Sequence, residues 1–337
     1  MKPNCMFFIC FRKTASSRRI DRPRPASTGL DQPSATMLDY PALAALAAVV
    51  REGSFERAAR ALHVSPSAIS QRIRLLEERT GCALVVRGQP CTATEVGRRL
   101  CRHIDQVQLL EHELRGGLPT LPEAAAAEAP RVSLPLAVNA DSVATWFAPA
   151  LAGWAAQAPV LVDIAVDDQD HTADWLRSGA VMAAVTGLAR PVTGCNSLPL
   201  GTMRYRATAS PGFVRRHFAD GVGAASLARA PCLQFNPKDD LQHRWARTLC
   251  HRPVELPRHL MPSASGFVAA AVGGMGWGMN PDLLIAPHLQ AGTLVELVPG
   301  TALDVPLYWQ HARAASTLLD GLTRHLMVQA RQVLSGA

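Results

Sequence analysis

The sequence predicts two unlike parts: a small, helix-dominated domain at the front and a larger α/β domain behind it. Three observations predict this. Apolar residues recur at helical spacing up to about Leu114, whereas beyond Arg131 short β-branched runs alternate with helical stretches. Between the two lies Gly116-Gly117 and a segment, Pro119–Pro130, with four consecutive alanines, the composition of a linker. Charge divides at the same place. Residues 1–37 hold seven Lys/Arg and two Asp/Glu, residues 38–115 hold eleven and nine, and the remainder sixteen of each. The basic excess therefore lies in the front third, where a polyanion would be met, and the neutral rear has no such bias.

At 337 residues the chain can build more than one core. Its 48% hydrophobic and 18% charged content is that of a folded chain, not a disordered one. Eight cysteines sit at 5, 10, 82, 91, 101, 195, 232 and 250, with no C-x-x-C pair and no histidine cluster to complete a zinc set. They read as thiols in a reducing cytoplasm, and no metal or cofactor is expected. No apolar run approaches a membrane span of roughly 18 residues. Cys5–Phe11 (CMFFICF) is followed, not preceded, by its basic residues, the wrong order for a secretory signal. Residues 1–37, with Ser-Ser-Arg-Arg and Arg-Pro-Arg-Pro, read as a solvated tail, a basic arm, or a start assigned upstream of Met37.

Residues 38–93 form the first domain. Asp39 and Pro41 open a helix carrying Leu43, Leu46, Ala47 and Val50. Gly53 breaks it, and Ser54 caps a second helix with Phe55, Ala58, Ala59 and Leu62. After the turn His63-Val64, Ser65 and Pro66 open a third, with Ile69, Ile73 and Leu76 on one face and Gly81 at its end. Ala83–Arg87 is a strand, Gly88-Gln89-Pro90 a turn, and Thr94 caps a long helix over 94–115. Helix, tight turn, helix, then hairpin is a winged helix-turn-helix. Its third helix must present short polar side chains to the DNA major groove. Pro66, Ser67, Ser70, Gln71 and Arg74 lie opposite the apolar stripe. Gln and Arg pair with adenine and guanine, while Arg72 and the wing's Arg87 suit phosphate.

The strings Val64–Glu77 (VSPSAISQRIRLLE) and Ala83–Gly97 (ALVVRGQPCTATEVG) resemble the N-terminal domain of LysR-type transcriptional regulators. With the α/β part the resemblance covers about 300 residues. It implies a DNA-binding regulator, not an enzyme, that works as a homodimer or homotetramer on double-stranded DNA, with RNA polymerase as a further partner. In the long helix, Val96, Leu100, Val107, Leu110 and Leu114, with His103 in the missing place, form a coiled-coil-like seam. The resemblance makes that seam the dimer contact. Residues 116–130 are a flexible linker.

For residues 131–337 the resemblance implies a two-lobed, periplasmic-binding-protein-like effector domain. Lobe I would span about 131–187 and 294–337, lobe II about 188–293. A ligand would sit between them at the carboxyl ends of strands. Asn139, Asp141 and Ser142 open a helix after the first strand, Asp168 ends the second, and Asp240 follows Cys232–Phe235. These residues, with Ser263, are the candidate ligand contacts. Helix-terminal N–H groups suit a carboxylate, and the aspartates a cation. Val138–Trp146, Val166–Asp168, Ser263–Phe267 and Leu307–His311 are most similar to the arginine/lysine-responsive members that control basic amino acid export. The expected effector is lysine or arginine, the alternative another small metabolite. Gly273–Gly278 (GGMGWG) precedes a strand instead of following one, which makes it a poor dinucleotide loop. No Walker, Gly-x-Ser-x-Gly or His-Glu-x-x-His string supports an enzyme. An architectural DNA binder would not need some 200 residues of neutral α/β fold.

Overall fold

The computed structural model describes residues 38–117, 133–158, 160–313 and 317–336. The expected tail (1–37) and nearly all of the expected linker lie outside these residues. The front domain runs α1 (Tyr40–Glu52), α2 (Phe55–Ala61), α3 (Pro66–Thr80), β1 (Val85–Val86), β2 (Thr92–Ala93) and α4 (Glu95–Gly117). Leu43, Leu46, Ala58, Ile69, Ile73, Leu76 and Leu84 are buried together as one core. Each buried Leu or Ile stabilises it by about 1.5–3 kcal/mol. The predicted caps form. Ser54 Oγ accepts from Arg57 N at 3.3 Å and Ser65 Oγ from Ala68 N at 3.2 Å, and Gly81, at φ +72°, ends α3.

Two contacts set the wing on the helices. The Glu77 carboxylate accepts from Leu84 N (2.8 Å) and Val85 N (3.4 Å), tying the end of α3 to β1. Gly97 lets α4 pass so close to β1 that an added Cβ would stand 2.1 Å from the Leu84 carbonyl oxygen. Thr94 caps this turn, accepting from Gly97 N and donating to the Ala83 carbonyl.

The second domain runs β3 (Ser133–Asn139), α5 (Ala140–Ser142), a π-helical turn (Val143–Phe147), α6 (Ala148–Ala155), β4 (Leu161–Asp167), α7 (Thr172–Arg177), β5 (Ala183–Thr186) and β6 (Cys195–Ala209). It continues with α8 (Pro211–His217), α9 (Ala224–Leu227), β7 (Cys232–Gln234), α10 (Leu241–Cys250), β8 (Arg258–Leu260), α11 (Ala264–Val272), β9 (Gly278–Pro281), α12 (Asp282–Gln290), β10 (Val295–Glu296), β11 (Leu303–Ala312) and α13 (Thr317–Val333). One mixed sheet has the order β10-β6-β11-β5-β3-β4, with β9 also on β6, and β7-β8 form a second, small sheet. The expected α/β class holds.

β3, β4 and β5 are parallel, and β6 and β11 run antiparallel along nearly their whole length. These two long strands carry the chain from one half of the domain to the other and back. The return differs from expectation. Val295–Glu296 still pairs with Thr208–Ala209 at the far end of β6, and the chain re-enters the first half along β11, not at Leu294. The largest buried side chains include Trp245, Trp277 and Trp309. Each indole N–H has a partner: Thr301, the Ala230 carbonyl and Thr323 Oγ1 respectively. Among the described residues, no helix is long and apolar enough to cross a membrane.

Candidate functional site

Two surfaces collect the candidate residues. On α3 the buried Ile69, Ile73 and Leu76 fix the rotation of the helix, so Pro66, Ser67, Ser70, Gln71 and Arg74 are all exposed on the other side. Arg72 is half-buried at the flank. Arg74 meets Glu78 one turn on, at 3.5 Å, an exposed ion pair worth little in water and easily exchanged for another anion. Arg87 is exposed beyond β1, with its guanidinium 5.4 Å from the centre of the Phe55 ring. Stacking on Phe55 holds this cation beside the start of α2.

On α4 the predicted seam is open to solvent. Val96, Leu110 and Leu114 are exposed, while Leu100, His103 and Val107 are half-buried. Off this stripe, Gly97, Ile104 and Leu109 are buried, Ile104 in the core of the front domain and Leu109 in that of the second.

The second surface is a cleft in the α/β domain. Parallel pairing sets Asn139 opposite Asp167, which brings the ends of β3 and β4 to one edge of the sheet. Asp141 and Asp168 thereby reach the same cleft, joined from the other half by Asp239, Phe235, Phe267 and Asn280. Asp141 Oδ2 accepts from the Tyr205 hydroxyl at 2.8 Å. Burial pushes its carboxyl up to about 6 against that hydrogen bond, and the nearby Asp239 and Asp168 charges push the same way. Tyr205 is raised well above the ordinary phenol range, first by burial and then by Asp141, so it remains a donor. Burial also takes Asp168 up to about 6, opposed by the hydrogen bond from Asp170 N. In Asp239 burial outweighs the bonds accepted from Phe235 N and Leu241 N, and its pKa too is raised. Among the described residues that line the cleft, none is lysine or arginine. Nor do any three His, Cys, Asp or Glu side chains among the described residues converge to hold a metal ion.

The other expected contacts stand differently. Asp240 does not line the cleft: it is exposed, flanks the start of α10 and lies 4.0 Å from Arg247. Its neighbour Asp239 turns inward in its place. Ser263 is an exposed cap whose hydroxyl accepts from Gly266 N, and it is the next residue, Ala264, that lines the cleft. Ser142 is fully buried and accepts from Trp146 Nε1 at 3.1 Å, which accounts for it structurally. Asn139 is fully buried behind the cleft, and neither polar atom of its side chain has a hydrogen-bond partner among the described residues. Asn280 was not anticipated. The signal for it is a lone amide in the otherwise apolar, wholly buried strand Gly278–Pro281.

Residues 41–98 match the family model "Bacterial regulatory helix-turn-helix protein, lysR family", and residues 127–331 match "LysR substrate binding domain". The HTH-type transcriptional regulator ArgP of Pseudomonas aeruginosa is 49% identical over 296 residues, 87% of this chain and 96% of that protein. The crystal structure of ArgP from Mycobacterium tuberculosis matches with a TM-score of 0.71 at 44% identity, covering 89% of this chain and 100% of that one. Full-length LysG from Corynebacterium glutamicum, with bound effector Arg, matches with a TM-score of 0.60 at 37% identity, again covering 89% and 100%. Both family domains are present in order, and the chain belongs to the LysR family of bacterial helix-turn-helix transcription regulators.

Proposed function

We propose that this regulator binds operator DNA through α3 and the wing, and that arginine or lysine in the acidic cleft modulates that binding to control a gene for basic amino acid export. The observation that carries the effector assignment is the set of carboxylates, Asp168 and Asp239 buried and Asp141 half-buried, with no lysine or arginine beside them in the cleft lining. Buried charges without a counter-charge are costly, and a cationic ligand removes the cost. The ligand's α-carboxylate takes backbone N–H groups at the openings of α5 and α11, whose first residues, Ala140 and Ala264, line the same cleft. LysG, the structural relative with arginine bound, supports the choice of ligand. On the DNA side Ser67, Ser70, Gln71 and Arg74 read base edges, while Arg72 and Arg87 hold phosphates. The protein acts in the cytoplasm as a dimer or tetramer joined along α4, with RNA polymerase as its partner at the promoter.

Titration calorimetry on the full chain tests the effector assignment. Arginine or lysine should bind, and Asp239→Asn should weaken binding about ten- to a hundredfold, as charge-assisted hydrogen bonds of roughly 1.5–3 kcal/mol imply. Asp240→Asn should bind like the wild type. Heat from a neutral or anionic metabolite, with none from either basic amino acid, would overturn the proposal.

A further inference from the structure

Asn280 closes the cleft from the side of β9, and its surroundings leave one of its atoms unanswered. The residue is fully buried and lines the cleft. Its Nδ2 donates to Thr208 Oγ1 at 3.0 Å and to the Gly278 carbonyl at 3.3 Å. A carbonyl oxygen can only accept, so Gly278 fixes which way the amide is turned: Nδ2 toward its own strand and β6, Oδ1 away from them. Oδ1 is buried and meets no donor among the described residues. Leaving a buried acceptor unpaired is costly, and native folds keep few such atoms without a reason. Four other side chains of the lining, Asp141, Asp167, Asp168 and Asp239, are carboxylates and so acceptors as well, against the single further amide of Gln169. Such a lining is built for a donor-rich ligand.

We infer that Asn280 is a specificity-determining contact: its Oδ1 accepts a hydrogen bond from a cationic N–H of the ligand, and Thr208 is the residue that positions it. This rests on reading the cleft as a basic amino acid site. An ammonium brings three N–H donors and a guanidinium five, enough to satisfy a neutral acceptor besides the carboxylates. Asp239 and Asp168 already disfavour the charged form of Asp141, and Asp239 that of Asp168, with Asp167 in the same lining, and one more carboxylate would add to that repulsion. The amide supplies another acceptor without another charge. A ligand lacking the matching N–H leaves Oδ1 unpaired again, which is how a polar site rejects a near-isostere.

Full-length wild type, Asn280→Leu, Thr208→Val and the double variant would be titrated calorimetrically with arginine and with lysine, with circular-dichroism melting as the control for folding. Asn280→Leu should bind about ten- to a hundredfold more weakly, the range expected when a hydrogen bond to a charged group is lost. Thr208→Val, which keeps the Gly278 anchor, should lose roughly two- to tenfold, since a neutral hydrogen bond contributes less. The double variant should bind no more weakly than Asn280→Leu, because Thr208 then has nothing to position. Unchanged affinity in a folded Asn280→Leu overturns the inference. If that variant does not fold, Thr208→Val decides in the same way. Wild type giving no heat with either amino acid removes the underlying effector assignment, whereas wild-type binding with both variants unmoved removes only the role of Asn280.

Discussion

Asp141 and Asp168 hold their protons up to about pH 6 because burial disfavours the charged form, and this gives the molecule a pH dependence of two opposite signs. In the unfolded chain an aspartate titrates near 3.9. Between that value and about 6 the ligand-free fold binds more protons than the unfolded chain, so its stability rises as pH falls through 6. A cationic ligand needs the same groups ionised. Arginine affinity should therefore fall between pH 7.5 and pH 5.5 while the melting temperature of the ligand-free protein rises. Calorimetry and melting at the two pH values would show both, and affinity that strengthens on acidification would contradict the roles given to these two residues. The approach of Asp141 and Asp168 was legible in the sequence, since each follows a parallel strand that ends on the same edge. The choice between Asp239 and Asp240 was not. Both follow β7, and only the hydrogen bonds that Asp239 accepts from Phe235 N and Leu241 N show which carboxylate is turned in.

At the scale of elements, the front domain was read almost whole because its signals are local. Ser54, Ser65-Pro66, Gly81 and Thr94 mark helix ends by their own chemistry, and those ends form where expected. The first half of the long strand β6 is hard to read from local pattern, because Pro199 and Gly201 interrupt it. There the pairing with β11 supplies what local propensity lacks, and a register shift at Leu307/Tyr308 accommodates the irregularity. Gly97 is a case where an element's path depends on one missing side chain. Its Cβ would collide with backbone, which cannot rotate away as a flexible side chain could. Gly97→Ala should destabilise the front domain by about 1–3 kcal/mol or more, as overpacking does. The expected readout is an earlier melting transition and lost DNA binding with arginine binding retained. A variant that melts like the wild type would show that α4 can shift off β1 without penalty.

For the whole molecule, the exposed Leu110 and Leu114 on α4 are the large apolar groups that a second copy would cover. Leu110→Glu places a charge in that seam. Sedimentation should then report dissociation to monomers, with specific DNA affinity reduced about a hundredfold or more because two half-sites are no longer held together. Arginine affinity should be unchanged, and a variant that stays associated would place the contact elsewhere. The apolar stripe was legible from its spacing, its use as a seam being part of the proposal above, whereas the way the two halves of the α/β domain are joined was not, since it depends on which distant strands pair.

Among the described residues the chain passes between those halves along β6 and β11, and the two crossings are neighbours in one sheet. Midway, Gly201 takes φ +129° beside the register shift, and a Cβ there would press within 2.7 Å of Leu334 at the end of α13. The joint therefore resembles a strap folded at a single crease, not a pair of separate pins. The halves cannot slide apart without unzipping a ladder, so a change in their relation would have to be a change of angle at the crease. A ligand gripped near that crease would fix an angle, and any change of that angle would appear at the far ends of both halves as a larger displacement.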